Sequence, residues 1–231
     1  RTGAAALLST SLRVAGEPNA LASLTRSSGS INHLLWERFA RAYGTPNVIN
    51  FNALDERRSP LAVQHTQGID QPVAYDIGNA NVILSFGCEL LDGWRSPVFQ
   101  QREFGRPHRK GSTRGRYVHI DHGFSTSAAK ADTWIALVSG TEAAFALGLA
   151  NVIIREGLYD KSFVTEYCHG FDGWTDDAGK RIEGFATMVL RDYHPREVAR
   201  ATGIAVETII DIARDFALHQ PSVAIGEKET P

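Results

Sequence analysis

An α/β architecture with a doubly wound parallel sheet is the fold class this sequence predicts, and three observations predict it. Short apolar strands alternate with longer helical patterns along most of the 231 residues. The run Asn81–Phe86 (NVILSF) is continuously apolar, as a strand covered on both faces requires. Strand-like runs end in Gly or an acidic residue, the chemistry expected where open α/β sheets receive ligands beyond the carboxyl ends of their strands.

Composition keeps the chain among ordinary globular proteins. Hydrophobic residues make up 43% and charged residues 22%, which leaves no case for disorder. A formal net charge of -2 gives no electrostatic footprint for nucleic acid. The stretch Arg102–Arg116 is strongly basic and reads either as a solvated loop or as a contact for phosphate or a partner. Two cysteines, Cys88 and Cys168, are too few for a disulfide framework, a cluster site or a Cys-rich zinc site. No apolar run reaches the roughly 18 residues that span a bilayer.

Taken in order, Ala4–Val14 is compatible with a helix that Gly16-Glu17-Pro18-Asn19 breaks. With no initial Met and no cleavage pattern, Arg1 is expected to continue an interrupted helix, any targeting signal lying upstream. Ala20–Thr25 reads as a short strand. The loop Arg26–Gly29 leads to a helix over Ile31–Tyr43, capped by Ser30 and stopped by Gly44, with Leu34, Leu35, Phe39 and Ala42 at helical spacing. That Ser/Gly loop is either a plain connector or an anion seat made of backbone N–H groups. Asn47–Asn52 suggests another strand, and Ala53–Asp76 shows no sustained periodicity, so it is expected to be a long loop.

The strand Asn81–Phe86 ends in Gly87-Cys88-Glu89, where Cys88 reads as a small buried thiol or a reactive one. Tyr117–Ile120 is the next strand, closed by Asp121 and a loop of small residues. Thr133–Val138 is a further strand, and Ser139-Gly140-Thr141-Glu142 opens a long helix that Gly157 stops. Glu142 there either favours the helix dipole or faces a ligand. The helix is apolar on all sides, so it packs between layers. Asp160 starts a helix with Phe163, Val164 and Tyr167 as its buried side, and Trp174, Phe185 and Met188 are expected to cover a satellite core. His194–Gly203 is a short helix, Val206–Leu218 an amphipathic one with Ile209, Ile210, Ile212, Ala213 and Phe216 inward, and Ser222–Gly226 a strand.

The segment Ile120-Asp121, Ala131-Asp132, Gly140-Thr141-Glu142, followed by the run from Arg155 to Val164 (REGLYDKSFV), resembles the molybdopterin oxidoreductases of the dimethyl sulfoxide reductase superfamily. The wording SFGCELLDGWRSPV around Cys88 is similar in particular to the molybdopterin-like subunits of the menaquinone reductase complex and alternative complex III, and to polysulfide reductase catalytic subunits. The resemblance covers nearly the whole chain. It implies a Rossmann-like domain over residues 49–218 of the kind that binds a pterin dinucleotide, with residues 1–48 and 219–231 as parts of a first α/β domain.

What the resemblance implies for the site follows residue by residue. Gly87 and Cys88 fit a Gly-small-Asn turn whose backbone approaches the dinucleotide, and Glu89 replaces the Asn. Asp121 matches an Asp-Pro-Arg turn, here Asp121-His122-Gly123, so the Arg that would contact phosphate or carboxylate is gone. Gly140 and Thr141 lead to Glu142, which matches an acidic residue that accepts from the N1 and N2 donors of guanine. Counting from Asn47, the position of the protein ligand to molybdenum falls on Asp55, a hard oxygen donor, or simply a surface carboxylate beside Glu56, Arg57 and Arg58.

The resemblance thus implies molybdopterin guanine dinucleotide and molybdenum as cofactors, or their loss, with an iron–sulfur cluster only upstream of this sequence. It also implies an iron–sulfur subunit and a membrane quinone-interacting subunit as partners, and a periplasmic or membrane-peripheral setting. Two functions are expected: a piece of a respiratory oxidoreductase large subunit, inactive by itself, or a metal-free scaffold of the same fold. A nucleotide-binding α/β protein unrelated to molybdenum is the third.

Overall fold

The computed structural model describes residues 18–25, 31–50, 58–69, 71, 73–109 and 115–226. The chain divides into two units, Arg1–Ile69 and Asp70–Pro231.

In the first unit, a turn of 3-10 helix at Pro18–Ala20 precedes strand β1 (Ser23–Thr25), which pairs in parallel with β2 (Val48–Asn50). Helix α1 (Ile31–Tyr43) joins them and ends at Gly44, whose φ of 91° is the left-handed conformation that a residue with no Cβ adopts without strain. Thr45 anchors the return of the chain, its hydroxyl donating to the Leu21 carbonyl at 2.6 Å. Leu34, Leu35 and Phe39 are exposed, and His33 and Ala40 form the buried side of α1. The strand expected over Asn47–Asn52 is seen at Val48–Asn50, where it pairs with β1 inside the first unit.

The expected loop over Ala53–Asp76 contains helix α2 (Arg58–Gln67). Its described side chains are largely exposed, so there is no apolar stripe from which a helix could be read. Residues 4–14, the loop at 26–29 and Asp55 fall outside the described residues.

The second unit holds the doubly wound sheet. Strands β3 (Val82–Phe86), β4 (Arg116–Ile120), β5 (Thr133–Ile135) and β8 (Ser222–Ile225) are all parallel, in the spatial order β5-β4-β3-β8. The chain moves outward from β3 to β5 and then returns to the other side of β3, which makes the β3/β8 boundary the point where the order reverses. The strand expected over Ser222–Gly226, and expected to return to the sheet of a first domain, is seen at Ser222–Ile225. It pairs instead with β3, Val82 opposite Ser222, because β3 otherwise has an open edge beside its buried apolar run.

Alternate side chains of the central strands enter two cores. On one face Val82, Leu84, Val118 and Ile120 meet Phe145, Leu149 and Val152 of α5 (Glu142–Glu156), Val198 of α8 (Pro195–Thr202) and Ile209, Ile212 and Ala213 of α9 (Val206–Leu218). On the other face Ile83, Tyr117 and Ile225 pack with Ile77, Cys88, Leu90 and Trp94, and Phe104 of α3 (Pro97–Arg109) places its ring edge-on to Tyr117 at 5.4 Å. Much of the basic stretch is thus the end of a helix and not a loop.

Helix α5 ends as expected at Gly157, with φ at 66°. The short helix α4 (Thr126–Ala129), unexpected in the small-residue loop, is capped by the Ser125 hydroxyl, which accepts from the Ala128 N–H. Helix α6 (Lys161–Tyr167) is capped by Asp160, but Phe163 and Tyr167 are exposed and the helix buries no side chain fully. The satellite region consists of a two-stranded hairpin, β6 (Trp174–Thr175) with β7 (Arg181–Ile182), and α7 (Phe185–Asp192). Its buried residues are Ala186 and Val189; Phe185, expected inside, is exposed.

Two tests follow from this packing. A Cβ at Gly148 in α5 would lie 2.8 Å and 3.0 Å from the two methyl carbons of Val198 and 3.2 Å from its Cβ, so rotating the valine does not clear it. Overpacking of this kind costs about 1–3 kcal/mol, against about 1 kcal/mol of helix propensity gained. Gly148→Ala is therefore expected to lower stability in urea denaturation. The second concerns acid: the Arg214 hydrogen bond holds the Glu156 carboxyl below its usual range, so this α9–α5 contact stabilises above pH 4.5 and is lost as pH falls through the depressed value. In Arg214→Gln that part of the pH–stability curve should flatten.

Candidate functional site

Because all four strands run the same way, the residues that follow them collect along one rim. Gly87 follows β3, Asp121 follows β4, and the turn to Glu142 follows β5. The rim is tied together by its backbone: the Gly87 N–H donates to the Ile120 carbonyl at 2.8 Å, and the Asp121 N–H to the Ile135 carbonyl at 3.2 Å. Gly87 takes a φ of 64°, which turns the chain sharply away from the sheet.

Asp121 and Glu142, separated by twenty-one positions in sequence, come together here. One ligating atom from each of Asp121, His122 and Glu142 lies within 4.8 Å of the others. Asp121 is 6% exposed, its Oδ1 accepting from the His122 N–H and lying 2.8 Å from His122 Nδ1. Glu142 is half-buried at the first position of α5 and accepts no hydrogen bond among the described residues. Thr141 precedes it at the N-cap, but its hydroxyl turns back to donate to the Val138 carbonyl at 2.5 Å and does not cap the helix. The first-turn N–H groups of α5 are therefore left without a side-chain cap beside the two carboxylates. Gly140, at a φ of 86°, has open space about its Cβ position.

The other expected residues divide. Cys88 is fully buried among Ile83, Leu90, Trp94 and Tyr117, so its thiol is part of the core and only its backbone is available to a ligand. Glu89 is half-buried and stands outside the cluster of three.

Two features of the site escaped the sequence reading. The first is an aromatic pair: Trp134 donates from Nε1 to the Asp121 carbonyl at 3.1 Å and meets Phe124 edge-on at 4.9 Å, and both rings are exposed. The second is a buried polar chain beneath the rim. His119, fully buried, places Nδ1 at 3.2 Å from the Tyr117 hydroxyl and 3.3 Å from Ser85 Oγ, with Nε2 at 3.5 Å from Ser125 Oγ. Ser85 in turn donates to the Cys88 carbonyl at 2.9 Å, and Ser127 accepts from the Leu91 N–H at 3.0 Å. These bonds hold the loop after β3 and the loop after β4 to the same strand. Burial pushes the Tyr117 hydroxyl well above the usual phenol range, so it stays protonated. The signal was present as two polar side chains two residues apart, Tyr117 and His119, on one face of a strand whose neighbours are apolar.

No family model matches the chain. The arsenate respiratory reductase molybdopterin-containing subunit ArrA of Shewanella sp. (strain ANA-3) is 30% identical over 228 residues, which are 93% of this chain and 26% of that protein. The menaquinone reductase molybdopterin-binding-like subunit of Nitratidesulfovibrio vulgaris is 26% identical, covering 97% of this chain and 30% of its own length. Dimethyl sulfoxide reductase DmsA of Escherichia coli (strain K12) is 32% identical over 160 residues, 64% of this chain and 19% of that one. Among solved structures, acetylene hydratase from Pelobacter acetylenicus superposes with a TM-score of 0.62 at 25% identity, over 90% of this chain and 26% of its own. This chain belongs to the dimethyl sulfoxide reductase superfamily of molybdopterin oxidoreductases. It spans about a quarter of the length of the curated superfamily relatives it matches. Among the described residues, no helix is long and apolar enough to cross a membrane.

The superfamily membership does not by itself position the loops, and the polar chain does. Ser127→Ala leaves the Leu91 N–H without its acceptor in a part-buried place. A loss of about 1–3 kcal/mol in chemical denaturation is expected, with faster amide exchange at Leu91.

Proposed function

We propose that this chain is the dinucleotide-facing part of a molybdopterin oxidoreductase large subunit in a respiratory electron-transfer complex, with molybdopterin guanine dinucleotide as its cofactor. The observation that carries the reading is the meeting of Asp121 and Glu142 at the carboxyl rim of the parallel sheet. The donor set fits such a group in two ways. Carboxylates accept from the N–H and hydroxyl donors of a base or ribose, and the uncapped first turn of α5 offers N–H groups to an anion.

In this reading Glu142 holds the guanine edge with two coplanar acceptors, Asp121 and His122 hold the adjoining sugar, and Gly87, Cys88, Gly140 and Thr141 supply backbone close to it. The exposed Trp134–Phe124 pair gives the base an apolar neighbour. Glu89 places a negative charge beside the same loop, and Asp55 is the proposed oxygen ligand of the metal. When bound, the molybdenum–pterin group supplies two-electron or oxygen- or sulfur-atom exchange. The complete subunit is proposed to work with an iron–sulfur subunit and a quinone-interacting membrane subunit, at the membrane periphery or in the periplasm. The chain by itself is not expected to turn over.

A second reading, a metal-free scaffold of the same fold in a quinone-linked complex, is favoured by two observations. Glu89 and the Asp121-His122-Gly123 turn remove an amide and a guanidinium from the cofactor side, and one relative is named for a molybdopterin-binding-like subunit. Metal analysis of the intact protein separates the two: one molybdenum or tungsten per chain supports the first reading, and none, with the fold intact, supports the second.

For the nucleotide itself, Glu142→Ala in the intact protein should lower the guanine nucleotide recovered per chain at least tenfold while the melting temperature holds, since Glu142 accepts no other hydrogen bond among the described residues. Undiminished guanine content would remove Glu142 from the site.

A further inference from the structure

One row of side chains crosses three strands of the sheet close below the rim. Parallel register sets Ser85 of β3 beside His119 of β4, and His119 beside Trp134 of β5. Each of the three holds part of a loop above it. Ser85 donates to the Cys88 carbonyl in the loop after β3, Trp134 donates to the Asp121 carbonyl after β4, and His119 Nε2 lies 3.5 Å from Ser125 Oγ. His119 stands in the middle of the row, fully buried, and joins the Ser85 contact to the Ser125 contact.

The same bonds assign the imidazole proton. The single Ser85 hydroxyl proton goes to Cys88, so Ser85 meets the imidazole only as an acceptor, at 3.3 Å from Nδ1. Nδ1 is then the donor, and Nε2 accepts from the Ser125 hydroxyl. An apolar side chain of similar size would fill this place without the desolvation cost of an imidazole, but it would make neither bond.

We propose that His119 is a positioning residue for the nucleotide site. Without touching the nucleotide, it sets the loop that carries the Cys88 backbone and the loop that carries Asp121 at one fixed separation. This deepens the nucleotide reading and rests on it. A guanine dinucleotide that contacts both loops gains from each only while they keep that separation, so a side chain buried beneath them controls how firmly it is retained.

The test uses the intact protein and the guanine released from it per chain. His119→Leu, which fills the space and makes neither bond, is expected to lower that content at least about tenfold. Amide exchange should quicken at Leu91 and Ala128, whose N–H groups donate to Ser127 and Ser125, while α9 exchanges as before. His119→Asn and His119→Gln each keep a donor and an acceptor, and at least one of them should return guanine to within about threefold of the unaltered protein. A role in packing alone would show no such rescue. If His119→Leu does not fold, Ser85→Ala decides in its place: lowered guanine supports the proposal and undiminished guanine overturns it. The proposal is also overturned by undiminished guanine in folded His119→Leu, or by a loss that neither amide variant relieves, and the nucleotide reading survives either result. An unaltered protein that releases no guanine removes the nucleotide reading itself, and this proposal with it.

Discussion

Four strands running in the same direction impose the geometry on which everything else in the second unit rests. Parallel pairing brings the carboxyl ends of β3, β4 and β5 to one side of the sheet, whatever lies between them in sequence. Covering both faces, with α5, α8 and α9 on one side and α3 and the Trp94 region on the other, buries the side chains of the central strands and leaves the strand ends as the places where the sheet itself can receive a ligand. Asp121 and Glu142 meet because each follows one of two neighbouring parallel strands at that rim.

Beneath that rim lies a polar layer that the apolar cores do not explain. His119 touches hydroxyls at both ring nitrogens, and Ser85, Ser125 and Ser127 extend the contacts into two different loops. A buried imidazole is stable only where such partners exist, and partners on separate loops fix those loops against each other. The rim is thus supported from below by hydrogen bonds, where the helix layers are held by packing.

Much of the second unit was legible because its signals are local. NVILSF is short and apolar enough to read as a buried strand, Gly157 supplies the left-handed stop of α5, and the Val206–Leu218 stripe names its own inward face. Where the reading failed, the deciding contact was remote or the signal was weak. Ser222–Ile225 was placed with the wrong sheet because pairing with Val82 is invisible at a separation of 140 residues. Helix α2 carries no apolar stripe, so nothing marked it. Phe163 and Tyr167 have helical spacing, yet the structure leaves them exposed, since spacing describes a face and not what covers it. At the site, Asp121, Gly140 and Glu142 were legible by resemblance, but the Trp134–Phe124 pair and the His119 layer depend on which side chains share a side of the sheet.

The position of β8 beside β3 bears on how the chain matures. As the polypeptide leaves the ribosome, β3, β4 and β5 emerge early and can join, while β3 keeps an unpaired flank until the residues at 222–225 appear. For that interval the nascent protein carries a bare apolar edge of the kind that recruits foreign strands, and its closure awaits a contact of long sequence separation. Chaperone demand and vulnerability to aggregation should thus be concentrated in the interval between the emergence of β5 and that of β8, set by strand order and not by any weakness in the finished fold.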